Sequence, residues 1–177
     1  MQFFKQILLF TSAVSAVSIA LYESAGQCTG NNVVCSNVNA DTCCFVNSGN
    51  ARGAIYFTNL PNPALVRTYG RGEGCANQIR SDRTTSLNWC VFNLANSITG
   101  GRWAFTSKRR AIGEQKNSDC VRPDTGYVQG RQFNLTGLDD KAFEDFLVYM
   151  KSVEPAVPEQ FLNVEVVSSE GSAKAIE

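Results

Sequence analysis

Residues 27–50 read QCTGNNVVCSNVNADTCCFVNSGN, and the fold of the chain depends on this stretch. It holds four of the seven cysteines, while Asn, Gly, Ser and Thr outnumber its large apolar side chains. These polar residues favour turns and loops, because their side chains hydrogen-bond locally and tolerate tight backbone conformations. The segment buries too little apolar surface to hold itself together, so we expect loops and short strands that disulfides fix in place.

All seven cysteines are disulfide candidates. A zinc site is excluded, because zinc fingers need closely paired cysteines or histidines, and the chain has no C-x-x-C pair and no histidine. Three bridges leave one cysteine over, and the sequence leaves their connectivity open. Cys43 and Cys44 are expected to reach different partners, since a bridge between neighbours is strained. The odd cysteine is either buried and inert or free to pair with another molecule. The candidates are Cys28, Cys35, Cys43, Cys44, Cys75, Cys90 and Cys120.

Residues 1–20, MQFFKQILLFTSAVSAVSIA, have the layout of a secretory signal peptide: one basic residue, an apolar middle and small residues at the end. Ser18-Ile19-Ala20 predicts cleavage after Ala20, with Ala16 and Ala25 as alternative sites. A membrane anchor is the competing interpretation, but hydroxyl residues interrupt the apolar run. We therefore expect a signal peptide at 1–20, one disulfide-stabilised domain at 21–167, a disordered tail at 168–177, and a secreted, extracellular product.

Composition excludes several classes of function. Without histidine, the Ser-His-Asp and Cys-His catalytic systems and histidine general bases are impossible. Sixteen basic residues balance sixteen acidic ones, so bulk charge does not indicate nucleic-acid binding. Because 44% of the residues are hydrophobic, the chain is expected to form a core rather than stay disordered.

Apolar and β-branched runs predict strands at 54–59, 65–69, 87–94, 102–106, 127–129, 132–135 and 161–167, with a hairpin at Gly130. Helical periodicity is clearest at Phe143, Phe146, Leu147 and Met150. Asp139 and Asp140 at its start suit the helix dipole. The fold class expected is β-rich (α+β): a small disulfide-stapled β-sandwich of six to eight strands with one C-terminal amphipathic helix.

The neutral total hides an uneven charge distribution. Residues 52–131 hold twelve basic and five acidic residues, a net charge of +7, whereas residues 132–177 hold three and nine, a net charge of −6. Folding either brings the two parts together or leaves a basic surface for an anionic partner. The candidate basic surface consists of Arg67, Arg71, Arg80, Arg83, Lys108, Arg109 and Arg110.

Two further motifs are short. Lys108-Arg109-Arg110 is either an exposed basic loop or a dibasic processing site, and Asn134-Leu135-Thr136 is an N-glycosylation sequon. Catalysis without histidine would need paired carboxylates, for which the basic part of the chain offers Glu73, Asp82, Asp119 and Asp124. None of these acids stands in a recognisable motif, so we expect no catalytic residues, no cofactor and no metal.

Two family resemblances follow from these features. The MQFF start, the opening Cys28…Cys35…Cys43-Cys44 and the single-domain length resemble fungal small secreted cysteine-rich proteins, the class from which effector candidates are drawn. The segment 81–86, SDRTTS, is similar to the calcium pattern of βγ-crystallin-like secreted proteins at Asp82, Thr85 and Ser86, but departs from it at Ser81. This second resemblance implies a β-sandwich, without a calcium site.

The first functional hypothesis is a secreted, non-catalytic interaction protein, a candidate fungal effector that binds a host protein or a cell-wall polysaccharide as a monomer. An antimicrobial or killer-type toxin of βγ-crystallin-like fold is the second, with the basic surface acting on target membranes. A small carboxylate-dependent hydrolase is the third. None of the three needs nucleic acid or stable membrane insertion.

Overall fold

A computed structural model describes residues 16–72, 74–93, 95–106, 120–152 and 156–166. These residues form two β-sheets packed as a sandwich, together with two short helices and a 3-10 turn at Ser48–Asn50. The predicted fold class is confirmed. The strands are β1 (Ser18–Tyr22), β2 (Asn32–Cys35), β3 (Cys43–Phe45), β4 (Ala54–Thr58), β5 (Ala64–Gly70), β6 (Gln78–Thr84), β7 (Trp89–Phe92), β8 (Ile98–Phe105), β9 (Cys120–Val121), β10 (Thr125–Val128), β11 (Arg131–Asn134) and β12 (Glu165–Val166), and the helices are α1 (Asp140–Tyr149) and α2 (Glu159–Leu162).

The two sheets differ in size. Sheet A has seven strands in the order β12-β11-β10-β2-β1-β4-β7, and every pair in it is antiparallel. Sheet B has five strands in the order β6-β5-β8-β3-β9, of which only β3 and β9 run parallel. No helix in the described ranges is long and apolar enough to span a membrane.

Strand β1 lies near the centre of sheet A, between β2 and β4. Ile19 and Leu21 are fully buried, and the Val17 carbonyl oxygen accepts a hydrogen bond from the Val38 amide. The boundary predicted after Ala20 therefore falls inside a central strand. A short apolar run ending in small residues fits the end of a signal peptide and a buried strand equally well, so the pattern alone did not separate them.

The core lies between the sheets. Gly101 of β8 faces β4 so closely that a Cβ atom there would come within 2.2 Å of Ile55 Cδ1 and 2.9 Å of Phe57 Cζ. Ile55 and Phe57 are fully buried, and each such side chain contributes roughly 1.5–3 kcal/mol through burial. The Cys35–Cys44 disulfide joins β2 to β3 and so links the two sheets covalently.

Helix α1 lies beside sheet B and packs, like sheet B, against the inner face of sheet A. Asp139 caps it, since its carboxylate accepts a hydrogen bond from the Ala142 amide at 2.8 Å. The predicted apolar stripe is buried, as expected. Phe146 lies against Gly126 of β10 and packs on Phe133 of β11 with ring centroids 5.3 Å apart. The helix therefore covers the part of sheet A that sheet B leaves open.

Several predicted elements need correction. The described residues contain twelve strands rather than six to eight, because β2, β3 and β9 are short strands in polar sequence and β6 is a mostly exposed edge strand. Residues 161–167 were expected to form a strand, but α2 ends at Leu162 and only β12 follows. Phe161 is buried against Phe146, so this apolar residue serves a helix turn rather than a strand. The predicted tail at 168–177 lies outside the described residues.

Six of the seven cysteines pair in the structure. Cys43 bonds to Cys75 and Cys44 to Cys35, so the neighbouring cysteines reach different partners, as the sequence predicts. The third bridge joins Cys28 to Cys90. Cys120 is the free cysteine, half-buried and directly opposite Cys43 in the β3–β9 pair.

Candidate functional site

The outer face of sheet B carries a group of arginines. Arg67 of β5 pairs in register with Arg102 of β8 on one side and with Ser81 of β6 on the other, and the adjacent row pairs Leu65 with Arg83. Residues opposite each other in a ladder share a face, and Val66 and Thr68, which alternate with Arg67, are buried. We call Arg67, Arg83 and Arg102 the arginine face.

These arginines have no neutralising partners in the described part of the chain, where none of the three forms an ion pair. Arg102 is only 5% exposed, its Nε atom lacks a hydrogen-bond partner, and its guanidinium lies 5.9 Å from the centre of the Tyr69 ring. Like charges placed directly opposite each other in a sheet are unfavourable. No described acidic residue forms an ion pair with Arg67 or Arg102, so within the described residues the positive charge of this pair is not compensated.

The predicted basic surface divides into three parts. Arg71 is exposed in the turn after β5, at one end of the arginine face. Arg80, in contrast, forms an ion pair with Asp82 at 2.6 Å, and both residues pair with the buried positions Thr68 and Val66, which face the other side of the sheet. Lys108, Arg109 and Arg110 lie outside the described residues.

Elsewhere the basic and acidic parts of the chain do neutralise each other. Arg122 pairs with Asp140 at 2.9 Å and also contacts the Phe143 ring. Arg131 of β11 pairs with Glu165 of β12 at 2.6 Å, and this hydrogen bond lowers the pKa of the Glu165 carboxyl. The described part of the acidic C-terminal third thus compensates arginines around α1 and at the edge of sheet A, and none of its described residues pairs with the arginine face.

The outer face of sheet A has the opposite chemistry. The strand registers place fifteen side chains on it, and none is charged. Three are tyrosines, on β1, β4 and β10, and we call this surface the tyrosine face. The fifteen residues are Ser18, Ala20, Tyr22, Asn32, Val34, Ala54, Tyr56, Thr58, Cys90, Phe92, Thr125, Tyr127, Gln132, Asn134 and Val166.

The three tyrosines form a cluster. Tyr127 is 37% exposed, and Tyr22 and Tyr56 are half-buried. Partial burial raises the pKa of Tyr22, and the neighbouring Tyr56 and Tyr127 phenols raise it further, so the Tyr22 hydroxyl stays uncharged at neutral pH. Sequence reasoning missed this surface. In SIALY, AIYFT and TGYV each tyrosine alternates with the buried residues, and that period of two was the available signal.

A buried arginine and a small cavity lie where α1 meets the sheets. Arg52 is fully buried beside Met150, and burial lowers its pKa while Glu23 and Glu144 oppose that shift. Glu144 also accepts hydrogen bonds from Asn47 and Asn50. A cavity of about 290 Å³ opens between the end of β3 and α1, lined by Phe45, Val46, Asn47, Arg122, Asp140, Phe143 and Glu144. Glu144, Arg122 and Asp140 are engaged in hydrogen bonds or ion pairs. The Nε and Nη1 atoms of Arg52, in contrast, have no hydrogen-bond partner among the described residues.

The carboxylates proposed for catalysis are not brought together where the structure describes them. Asp82 lies on β6 and Asp124 follows β9, the two opposite edges of sheet B, so four strand spacings of about 4.8 Å separate them. Asp124 accepts hydrogen bonds from the Ser36 amide at 2.7 Å and the Ser36 hydroxyl at 2.8 Å. Glycoside hydrolysis needs two carboxyl groups about 5–10 Å apart. Glu73 and Asp119 lie outside the described residues.

Two remaining sites can be placed. Asn134 is exposed at the end of β11, and its Oδ1 accepts hydrogen bonds from the Thr136 amide and hydroxyl, so the sequon is accessible. In the segment that resembles a calcium pattern, the Asp82 carboxylate is occupied by Arg80. Across the described ranges, no three acidic or cysteine side chains group as metal ligands do.

A family model, ARB_05566_N, described as an N-terminal domain, matches residues 18–124. The match begins at the first residue of β1 and ends just before β10. No curated protein and no solved structure matches the chain.

Proposed function

We propose that this chain, which belongs to the ARB_05566_N family, works outside the cell as a binding protein without catalytic activity. Its three disulfides and its β-sandwich fit an extracellular protein, because disulfides persist in oxidising compartments. The resemblance to small secreted cysteine-rich proteins supports a fungal origin and a role as an effector candidate acting on a host or cell-wall component.

The arginine face carries this proposal. Uncompensated positive charge on a rigid sheet attracts anionic partners, and the attraction guides binding more than it determines final affinity. Guanidinium groups bind carboxylates in a bidentate manner, so a polymer with repeated carboxylates fits a surface on which Arg67 and Arg83 lie on neighbouring strands. We therefore favour an anionic cell-wall polysaccharide over a host protein as the partner.

The absence of turnover is part of the proposal. The distance between Asp82 and Asp124 supports it, since these two acids are too far apart to act on one glycosidic bond. The lack of histidine supports it as well.

Maturation must leave β1 intact, so we place signal-peptide cleavage after Ala16 rather than after Ala20. Val14 and Ala16 are small residues three places and one place before this cut, as the cleavage pattern requires. Cleavage there keeps Val17, whose carbonyl bonds to Val38, and all five residues of β1. N-terminal sequencing of the secreted protein should begin VSIAL; a start at Leu21 would contradict this placement.

Binding to polygalacturonate tests the partner class. The double variant Arg67→Gln/Arg83→Gln should lower affinity about tenfold or more, and wild-type binding should weaken as salt is added. Arg80→Gln is the matched control: it makes the same change on strand β6, but at a residue that is already paired with Asp82. It should leave binding nearly unchanged.

Three results would count against this function. An equal loss of binding free energy per removed charge in Arg80→Gln and in the double variant would mean that net charge alone drives binding. Tighter binding to vesicles of anionic phospholipid than to polygalacturonate would favour the toxin alternative. Release of reducing sugar from the polysaccharide would contradict the absence of catalysis.

A further inference from the structure

We infer that the tyrosine face is a second binding site, which takes a single chain of chitin. The inference goes beyond the proposed function, because it concerns the other sheet and a ligand of different chemistry. It rests on the neutrality of the face, on the spacing of its rings and on the amides at its rim.

Neutrality selects an uncharged ligand. Fifteen outward side chains on seven strands include no acid and no base, although the chain as a whole has 32 charged residues, sixteen of each sign. Such a face offers an ionic polymer no attraction. Aromatic rings that are apolar in the middle and carry a hydroxyl at one end suit a sugar, which has apolar C–H faces and polar edges.

Ring spacing selects an extended polysaccharide. Tyr127, Asn32 and Tyr22 stand in one row across the sheet, so two strand spacings, about 10 Å, separate the two tyrosines. In chitin the chain is extended and every second sugar presents the same face, at a similar distance. Tyr56 lies diagonally beside Tyr22 on the neighbouring strand, where it can contact the next part of the chain.

Two carboxamide residues of β11, at the edge of the tyrosine face, favour chitin among neutral polysaccharides. Gln132 lies directly opposite Tyr127 on β11, and the next outward residue of that strand is Asn134. The Gln132 carboxamide can both donate and accept hydrogen bonds, as the acetamide group of each chitin sugar does, whereas Asn134, whose Oδ1 is bonded to Thr136, offers its Nδ2 as a donor. Cellulose has no such group, so it could not use these contacts.

The surroundings of the face limit its occupant. At one end Ala54 is fully buried although it faces outward, and the Cys28–Cys90 bridge holds the loop after β1 over that end. The remaining surface is formed mainly by three rings beside Ala20 and Val34, of which only that of Tyr127 is more than half-buried, at 37% exposure, so this surface is narrow. Because strands twist relative to one another, the rings are not coplanar, which suits one chain better than a flat crystal surface.

Calorimetric titration of the mature protein with chitin hexasaccharide tests the site. Tyr127→Ala should weaken binding about tenfold, whereas Tyr127→Phe, which keeps the ring, should stay within about twofold of wild type. Phe105→Ala is the matched control, because Phe105 is 41% exposed at the end of sheet B. Gln132→Ala should reduce the preference for chitin over cellulose hexasaccharide. Thermal unfolding of each variant checks that the fold is kept.

Four results would overturn the inference: no binding by the wild type, an equal loss in Tyr127→Ala and Phe105→Ala, equal affinity for the cellulose hexasaccharide, or a wild-type dimer in sedimentation that Tyr127→Ala dissociates. The measurement should be repeated with Asn134→Gln, so that a glycan on the rim cannot mask the site. None of these results bears on polygalacturonate binding by the arginine face.

Discussion

The two outer faces of the sandwich contrast in almost every property. Sheet A carries fifteen uncharged side chains with three clustered tyrosines on its outer face. Sheet B carries Arg67, Arg83 and the buried Arg102, none of which forms an ion pair among the described residues. Between them lies one apolar core to which both sheets contribute. In each strand, alternate side chains build the core. The side chains between them lie on the outer faces of the two sheets, which can therefore differ in chemistry.

The neutral total charge conceals this contrast between the two faces. Arg122 near α1 and Arg131 beside β12 are compensated by Asp140 and Glu165, whereas the arginines of the arginine face form no ion pair among the described residues. A surface of uniform mixed charge would point to solubility alone. Separation into a neutral face and a cationic face points to two ligands of different chemistry.

The largest expected effect comes from breaking the shared core. Phe57→Ala should lower the free energy of unfolding by about 3–5 kcal/mol, because Phe57 is fully buried against Gly101 of the other sheet. Both faces should lose ligand binding together as the sandwich loosens. Urea unfolding measures the change, and Leu87→Ala, at a residue 63% exposed outside both faces, serves as control. Loss of one binding activity alone would contradict a common core.

Removal of one disulfide should have an intermediate effect on stability and should weaken ligand binding at one face more than at the other. The Cys43–Cys75 bridge closes a segment of 32 residues and fixes the turn after β5 against sheet B. Replacing both cysteines with alanine should cost about 3–4 kcal/mol of unfolding free energy, mostly through the entropy of the unfolded chain. Polygalacturonate binding should weaken more than chitin binding. Cys120→Ser, which removes the free thiol, should leave both unchanged; equal weakening of both in the double variant would remove the distinction.

The smallest expected effect is a pH-dependent change in the free energy of unfolding, caused by an ion pair at the edge of sheet A. The hydrogen bond from Arg131 lowers the pKa of Glu165 below its ordinary value of 4.5, so the ionised carboxylate favours the folded state above that pH. The contribution is lost as the pH falls through the lowered pKa. Glu165→Gln should therefore lose less stability than wild type when the pH is reduced from about 6 to about 3. Glu159→Gln is the control. If the free energy of unfolding changed with pH equally in wild type and in Glu165→Gln, the stabilising role assigned to Glu165 would be contradicted.

The sequence predicted the elements whose residues repeat with a clear period. The apolar stripe of α1 and the alternation in β4, β5 and β11 identified buried faces, and two neighbouring cysteines predicted two separate bridges. SIALY fits the end of a signal peptide as well as a central strand, so cleavage after Ala20 stays a prediction, as does the alternative after Ala16. The short strands expected in residues 27–50 are present as β2 and β3, but the sequence did not predict their bounds, because disulfides and neighbouring strands position them.

The candidate site was predicted only in part, for a related reason. Sequence composition showed an excess of arginine, but not which arginines pair, and only strand register separates Arg80 from Arg83. The tyrosine face was invisible as a unit, because its rings come from strands more than thirty residues apart along the chain. The register between strands that lie far apart along the chain is a tertiary property, so it cannot be read from a short segment of sequence.

Binding of polygalacturonate and of chitin hexasaccharide to one preparation, each at about 0.02 M and about 0.5 M salt, tests the two-face account most directly, because salt screens exposed charges but not neutral contacts. The account predicts that polygalacturonate affinity falls steeply with salt, that chitin affinity does not, and that saturation with one ligand leaves the affinity for the other unchanged. Parallel loss of both affinities with salt, or competition between the ligands, would contradict it.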